Sequence, residues 1–413
     1  MARLSSALTL RGRSLLTAGV ALLLCGIALG FRDITRIGVL VGALPLLAST
    51  LTASRRLQIS ATRSVTPGRV HVDETCDVVL TVTNTGRRMT PVIMAEEELD
   101  YALGDRPRFV IPAMGAGVRH QLRYRLRSTV RGRHYLGPLA LRVKDPFDLT
   151  TRHRSVPGPG ELIVLPRVVT LHDGDASGGT GHEGNVAQMI ALHGEDDVSV
   201  RQYRDGDDLR RIHWPATART GDLMVRQEDR PARRRAVILL DDRNATTAGP
   251  RSAGSFEWAV SAAASLANHF LAQGLTTHLV HAGERLSSPD APETALEDTL
   301  EALALAERHA PEVFSRSVEE ASDIASNGAF VAAIIAPLGG DVLGQVARVR
   351  APGSRAVALV LDVGAPLVAG GPSALETAKA LRDRGWSSIV VGNGLSVPQA
   401  WGLATTSMPV NRR

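Results

Sequence analysis

Hydrophobic positions follow three different patterns along the chain, and each pattern predicts a different kind of structure. Near the N-terminus, two continuous apolar runs, residues 14–30 and 37–53, are separated by the short connector FRDITR. Residues 65–167 alternate between apolar and polar positions in short segments, which is the period of half-buried β-strands. Residues 236–413 contain fully apolar runs separated by helical periodicity. The predicted fold is therefore an N-terminal transmembrane helical hairpin, a β-sandwich-like module and a doubly wound α/β domain.

The α/β domain is predicted from apolar runs that match buried parallel strands and from amphipathic segments between them. We expect strands at residues 236–240, 276–280, 330–336, 356–361 and 388–391, and helices at residues 255–273, 293–308, 342–349 and 374–384.

Each N-terminal apolar run has 17 residues, which is near the lower limit for crossing about 30 Å of hydrocarbon. A signal peptide is the alternative, because Ala28-Leu29-Gly30 resembles a cleavage site. A second run so soon afterwards favours a hairpin, in which both segments span the membrane. Arginines flank the pair at residues 1–13 and just after residue 53, and fewer lie in the connector. The positive-inside rule then places both termini and the soluble domains on the cytoplasmic side of the inner (plasma) membrane.

Basic residues are concentrated in the β-rich module. Between Arg119 and Arg167 there are eleven Arg or Lys residues and three Asp or Glu residues. Period-two placement exposes these cations, so an ordinary solvated strand face explains them. An alternative is attraction to anionic lipid, because the module follows a membrane anchor.

Residues 168–199 form a Gly/Asp-rich segment that is predicted to be an exposed loop. His172, His182, Glu183 and His193 lie in it. Their spacing matches no known metal site, so we interpret them as solvated loop residues.

The segment 200–235 is too charged to be a core element, yet its apolar residues recur at intervals typical of packing. It has three possible interpretations: a joint between domains, a docking surface for a partner, or a catalytic site. Catalysis is the weakest, because no nucleophile, base and orienting group can be assigned. The residues expected to make contacts are Tyr203, Asp207, Arg210, Trp214 and Arg219.

This segment also resembles a known bacterial family, domain of unknown function 58. The residues that carry the resemblance are Tyr203, Gly206, Asp207, Arg210, Ile212, Trp214, Ala218, Arg219, Leu223, Val225 and Glu228, with Arg131-Gly132, Leu136-Gly137-Pro138 and Asp145-Pro146-Phe147 upstream. The resemblance implies a membrane-linked protein with a von Willebrand factor A-like C-terminal domain, often encoded beside a MoxR-type AAA+ ATPase. The family has no established catalytic activity, so the resemblance implies a partner rather than a reaction.

Metal binding is the chemistry to test in a von Willebrand factor A-like domain, whose metal motif is Asp-x-Ser-x-Ser. The matching residues here are Asp241, Asp242, Arg243, Asn244 and Ala245. Both serines are missing, and Arg243 brings a fixed cation to the place of the metal. We therefore expect no cofactor, or at most weak magnesium binding at Asp241 and Asp242, whose carboxylates can instead pair with Arg243 or Arg251.

The sequence as a whole predicts a non-enzymatic adaptor or scaffold that works with a MoxR-type AAA+ ATPase on an unknown client. The net charge of +5 over 413 residues is modest and gives no indication of nucleic-acid binding. The alternative is a metal-dependent ligand-binding protein or hydrolase that uses Asp241 and Asp242.

Overall fold

The structure is a computed structural model, and it describes residues 8–54, 57–145, 147–172, 199–203, 212–227, 235–243, 250–287, 292–326, 328–364 and 371–406. The chain divides into two compact units, Met1–Leu165 and Pro166–Arg413. We call them the N-terminal unit and the C-terminal unit.

Two apolar helices begin the N-terminal unit, α1 (Leu10–Leu29) and α2 (Arg32–Ser54). Both are long and apolar enough to cross a membrane, by length and composition. Gly30 ends the first helix in the left-handed conformation, with φ of 74°, which favours glycine. The predicted connector is wrong in extent: residues 32–36 are helical. They contain no glycine or proline that would keep them out of the second helix.

Glycines bring the two helices together. A Cβ atom added at Gly19 would lie 2.5 Å from the backbone nitrogen of Gly42, and one at Gly38 would lie 2.5 Å from that of Leu23. A Cβ atom at Gly26 would lie 2.6 Å from the backbone nitrogen of Thr35. Small residues four apart, as at Gly38 and Gly42, are typical of helix contacts in membranes. The helices form a hairpin whose backbones approach too closely for larger side chains.

The rest of the N-terminal unit is a sandwich of two sheets. Its strands are β1 (Ile59–Thr66), β2 (Arg69–His71), β3 (Thr75–Asn84), β4 (Ile93–Leu99), β5 (Arg108–Ile111), β6 (Arg119–Arg127), β7 (Gly132–Lys144), β8 (Thr151–Val156) and β9 (Gly160–Leu165). One sheet has the order β1-β3-β6, and the other has the order β2-β9-β7-β4-β5, with β8 paired to β7. Apolar residues from both sheets meet in a shared core, for example Leu80 and Leu139. The first strand begins at Ile59, before the predicted start at residue 65.

A buried ion pair joins the two sheets. Arg63 on β1 contacts Glu97 on β4 through Nε to Oε1 at 2.5 Å and Nη2 to Oε2 at 3.1 Å, and neither side chain is exposed. Arg63 also donates to the backbone carbonyl of Gly158. Gly137 has a φ of +90°, and a Cβ atom there would lie 2.7 Å from the guanidinium. The Leu136-Gly137-Pro138 motif thus leaves room for this arginine.

The C-terminal unit contains two short paired strands, one short helix and a six-stranded sheet with helices on both faces. Its elements are β10 (Ser199–Gln202), α3 (Trp214–Thr220), β11 (Met224–Gln227), β12 (Arg235–Leu240), α4 (Pro250–Ala272), β13 (Thr276–His281), β14 (Glu284–Ser287), α5 (Pro292–Leu305), α6 (Pro311–Ala325), β15 (Phe330–Ile335), α7 (Gly340–Val349), β16 (Ala356–Leu361), α8 (Ala374–Arg382), β17 (Ser387–Val391) and α9 (Val397–Thr406).

The six-stranded sheet has the order β14-β13-β12-β15-β16-β17. Every pair is parallel except β13 with β14. Helix α6 packs on one side, where alternate residues such as Val237 and Leu239 point. Helices α4 and α9 contact the sheet and each other, and within the described ranges no comparable contact joins them to α6, α7 or α8. The doubly wound arrangement follows from strands that are buried on both faces.

Candidate functional site

The carboxyl end of β12 is the place in this sheet where a ligand is expected. The chain runs from β12 to β13 on one side and returns to β15 on the other, and such a reversal leaves a crevice beyond the strand ends. Asp241 and Asp242 follow directly after β12. The backbone N–H of Asp241 donates to the carbonyl of Ile334 on β15, at 2.9 Å.

Arg243 occupies the space beside the Asp241 carboxylate. Its Nε lies 2.8 Å from Oδ1 and its Nη2 lies 2.6 Å from Oδ2. The backbone N–H of Arg243 donates to Oδ1 at 3.1 Å, and that of Ala336 donates to Oδ2 at 2.8 Å. The guanidinium also lies over the Phe314 ring, 4.9 Å from its centre. Each carboxylate oxygen of Asp241 therefore accepts two hydrogen bonds within the protein.

The ion pair between Asp241 and Arg243 is buried. The Asp241 side chain is 1% exposed and that of Arg243 is 12% exposed. Burial alone would lower the pKa of Arg243, but the charge of Asp241 and its hydrogen bonds outweigh that effect and raise the pKa. The guanidinium is thus held as a permanent cation beside Asp241.

These residues do not fit a magnesium ion. Magnesium needs several oxygen ligands in octahedral geometry, and both oxygens of Asp241 are already engaged by N–H donors. Residues 336–338, which follow β15, are Ala, Pro and Leu, and none of them has a carboxylate. Among the described residues, no group of three or more His, Cys, Asp or Glu side chains is placed to hold a metal.

Asp242 has a different role from its neighbour. Its Oδ2 accepts from the backbone N–H of Ala282 at 2.7 Å and contacts His309 Nδ1 at 3.1 Å, while its Oδ1 is buried without a hydrogen-bond partner among the described residues. Burial raises the pKa of Asp242 and lowers that of nearby His281. The carboxylate ties the turn after β13 to the loop before α6.

Neither of the two histidines near Asp242 was predicted from the sequence to be a site residue. His281 ends β13, as Asp241 and Asp242 follow β12, so the carboxyl-end rule could have indicated it. His309 lies in the loop before α6 and has no comparable signal. An Asp–His pair can orient an imidazole for catalysis, but in the described part of the chain His309 bonds no serine, threonine or cysteine.

The signature segment forms a small substructure of its own. Strands β10 and β11 pair in antiparallel register, from Ser199 opposite Gln227 to Gln202 opposite Met224. The backbone N–H of Tyr203 donates to the carbonyl of Leu223 at 2.8 Å. Helix α3 is capped by His213, whose Nδ1 accepts from Ala216. Asp207 and Arg210, expected here as contact residues, lie outside the described residues.

Trp214 is the most prominent exposed group of this substructure. Its side chain is 67% exposed and that of Leu223 is 43% exposed, whereas Val225 is buried. Arg219, in the last turn of α3, is also exposed, and Tyr203 is half-buried. The structure thus exposes the Trp214 indole rather than burying it. The spacing of apolar residues indicated a folded element. Helix α3 has only seven residues and is too short to cover the Trp214 indole, which faces outward.

A second motif residue, Asp145, organises the loop after β7. Its carboxylate accepts hydrogen bonds from the backbone N–H groups of Phe147 and Leu149, each at 2.8 Å, and from both donors of Thr150. These bonds outweigh the effect of burial and lower the pKa of Asp145. Leu149 in turn accepts from the backbone N–H of Thr9 at 3.0 Å. The loop thus fixes the start of α1 to the sandwich.

The fold and site define a protein with two apolar N-terminal helices, a β-sandwich and a doubly wound α/β unit whose principal carboxylate is neutralised by an internal arginine. A family model described as "Protein of unknown function DUF58" matches residues 199–354. The resemblance noted in the sequence is confirmed for that segment, which runs from β10 to the turn before β16.

One relative is similar to part of the chain. The "Uncharacterized protein YeaD" of Bacillus subtilis (strain 168) is 27% identical over 172 residues, which cover 39% of this chain and 39% of the relative. The chain therefore matches less than half of the length of this relative.

Solved structures give only distant likenesses. The CARDB domain of the PF1109 protein from Pyrococcus furiosus is 11% identical, with a TM-score of 0.20, and covers 26% of this chain and 93% of that one. The GH20 exo β-N-acetylglucosaminidase of Vibrio harveyi is 9% identical, with a TM-score of 0.22, and covers 80% of this chain and 75% of that one. Scores this low support no inference about fold or activity.

Proposed function

We propose that this protein is a non-enzymatic adaptor, anchored in the inner membrane, whose C-terminal unit is von Willebrand factor A-like and docks a MoxR-type AAA+ ATPase. The observation that carries the proposal is the occupied carboxylate at the end of β12. Arg243 engages both oxygens of Asp241, so the position where such a domain would hold a catalytic or adhesive metal carries a fixed internal cation instead. What remains is a folded surface for protein contacts.

The docking surface in this proposal lies on α3 and on Leu223, just before β11. Trp and Arg are the residues most often responsible for binding energy at interfaces. Trp214 and Arg219 are both exposed on this seven-residue helix, and the exposed Leu223 follows it. An exposed aromatic residue and an exposed cation on one short helix supply the side chains that such an interface would use.

Membrane anchoring in this proposal rests on the glycine-packed hairpin. Close backbone approach at Gly19 and Gly42 agrees with helix association in lipid, where small residues permit dense packing. Arginines flank both outer ends of the pair, which favours cytoplasmic termini and cytoplasmic soluble units.

The test is an affinity pull-down of the full chain, solubilised in detergent with a non-hydrolysable ATP analogue, followed by mass spectrometry. We expect wild type to recover a MoxR-type AAA+ ATPase, and Trp214→Ala/Arg219→Ala to recover at least tenfold less. The control is Leu375→Ala, because Leu375 is 65% exposed in the same unit but lies on α8. Equal recovery by wild type and the double variant, or no ATPase with folded wild type, would contradict the proposal.

A further inference from the structure

An apolar groove of about 670 Å³ lies within the N-terminal unit, between helix α2 and the β-sandwich. Leu44 and Leu47 line it from the helix, and Val92, Met94 and Phe147 line it from the sandwich. Its volume is within the range of ligand-binding pockets.

Several of the lining side chains are exposed although they are apolar. Leu47 is 61% exposed, Met94 is 46% exposed and Phe147 is 71% exposed. A contiguous apolar surface of this kind marks a binding site. Other apolar residues of the sandwich, such as Ile93 and Leu139, are fully buried in its core. The groove is therefore a separate surface that the sandwich does not fill itself.

The groove lies at a defined distance from the C-terminal end of α2. Leu47 lies seven residues before the last helical residue, Ser54, and seven residues correspond to about 10 Å of helix. If the end of α2 marks the membrane surface, this distance places the groove at the boundary between lipid headgroups and acyl chains.

Cations dominate the polar part of the lining. Arg142, Lys144 and Arg152 contribute positive charge, and Asp145 is the carboxylate among the described lining residues. Lys144 is paired with Asp148, Nζ to Oδ1 at 2.9 Å, so the two arginines are the cations that the proposal uses. The Asp145 carboxylate is engaged by N–H groups of its own loop. Arg142 lies opposite Met94 in the β4–β7 register, so a cation stands directly beside the apolar lining. Arginine matches phosphate geometry well.

We propose that this groove binds one anionic phospholipid from the surrounding leaflet. An acyl chain lies along Leu44 and Leu47, and the phosphate group lies at Arg142 and Arg152. The apolar lining next to a membrane helix favours a lipid over a soluble anion, and the cationic rim favours an anionic headgroup over a neutral one. The inference rests on membrane insertion of the hairpin, which is part of the proposed function, but not on ATPase docking.

Native mass spectrometry of the detergent-solubilised full chain tests this site with added phosphatidylglycerol or phosphatidylcholine. We expect wild type to retain one phosphatidylglycerol per chain and to prefer it at least tenfold. Arg142→Gln/Arg152→Gln should weaken phosphatidylglycerol retention about 10- to 30-fold, since each cation near a membrane surface contributes about 1 kcal/mol. Leu47→Trp should fill the groove and reduce retention of both lipids.

The matched control is Arg119→Gln/Arg123→Gln, which removes two exposed cations of β6 that do not line the groove. Equal loss in this control would assign retention to diffuse surface charge and overturn the site. Absence of phosphatidylglycerol from folded wild type that resists alkaline extraction from membranes would overturn the lipid site and leave anchoring intact. Release of the chain from membranes by alkali would overturn both the lipid site and the membrane anchor. The pull-down tests docking of the ATPase separately.

Discussion

Removal of the guanidinium at Arg243 should destabilise the C-terminal unit strongly. Arg243→Met deletes the guanidinium, which lies over Phe314, and keeps most of the apolar stem. Asp241 would then be a buried carboxylate, 1% exposed, without its cation. Breaking a buried pair in this way costs about 3–5 kcal/mol. Because two backbone N–H groups still donate to Asp241, we expect the lower part of that range, about 3 kcal/mol.

If the unpaired charge of Asp241 causes this loss, removing that charge as well should restore part of the stability. Asp241→Asn/Arg243→Met removes both charges, so it should be more stable than the sum of the two single changes predicts. We expect a coupling energy of about 2 kcal/mol in this double-mutant cycle, near the upper end for residues in contact.

The tryptophans make the measurement specific to one unit. All four lie after residue 165, and Trp386 and Trp401 are buried. Urea unfolding of the full chain in detergent, followed by tryptophan fluorescence, therefore reports the C-terminal unit. A loss of about 3 kcal/mol should lower the midpoint by about 1 M. A midpoint shift below about 0.3 M, or simple additivity in the cycle, would refute the account of Arg243.

The same preparation tests the metal alternative. Calorimetric titration of wild type with magnesium should give no stoichiometric heat, because the oxygens of Asp241 are engaged. Stoichiometric binding that Asp241→Ala abolishes would favour a metal-dependent protein instead.

In a Cys25→Ser background, which removes the exposed thiol, protection of the buried Cys76 thiol from a disulfide reagent reports opening of the sandwich in the N-terminal unit. Glu97→Gln should leave Arg63 as an unneutralised buried cation and cost about 3 kcal/mol, so labelling should accelerate about 100-fold; an unchanged rate would contradict this. Asp145→Asn should destabilise at pH 7, because a lowered folded-state pKa gives stability above the unfolded pKa and loses it as the pH falls through the folded value; the difference should shrink below about pH 4, and a constant difference would exclude this cause. Gly19→Val should separate the two helices, because a Cβ atom at Gly19 would lie against the backbone of Gly42. A chemical cross-link between α1 and α2 should then form at least tenfold more slowly than in wild type. An equal rate would exclude close packing.

The buried strands of the C-terminal unit were predictable because their signal is local. The predicted run 356–361 is the observed β16, and the predicted run 236–240 differs from β12 by one residue. A strand that is covered on both faces needs apolar residues at every position, and few other structures of that length produce the same run.

Elements whose burial depends on distant partners were missed. Helix α6, Pro311–Ala325, buries Phe314, Val318 and Ile324 against the sheet. These apolar residues form a narrow stripe among charged residues, so the helix is hard to recognise in the sequence. Strand β14 has only four residues and pairs at the sheet edge. Both are held by tertiary contacts that a short sequence window does not contain.

The charged pairs could likewise be predicted only where the partners are close in the sequence. The position of Asp241 followed from its place after β12, and the sequence also raised Arg243 as a competing cation. Nothing local indicated that Glu97 would neutralise Arg63, since 34 residues separate them. Pairings across a sandwich depend on strand order, which the sequence pattern leaves open.

A tethered guanidinium has consequences that a bound metal would not have. A metal can leave, exchange or take a ligand from a partner, so a metal-binding surface can respond to its surroundings. Arg243 is two residues from Asp241 in the chain and keeps its charge at all physiological pH values, with a pKa that Asp241 raises further despite burial. Under the adaptor proposal, this end of the sheet therefore presents one fixed state. Regulation would then have to come from the partner at α3 or from lipid at α2.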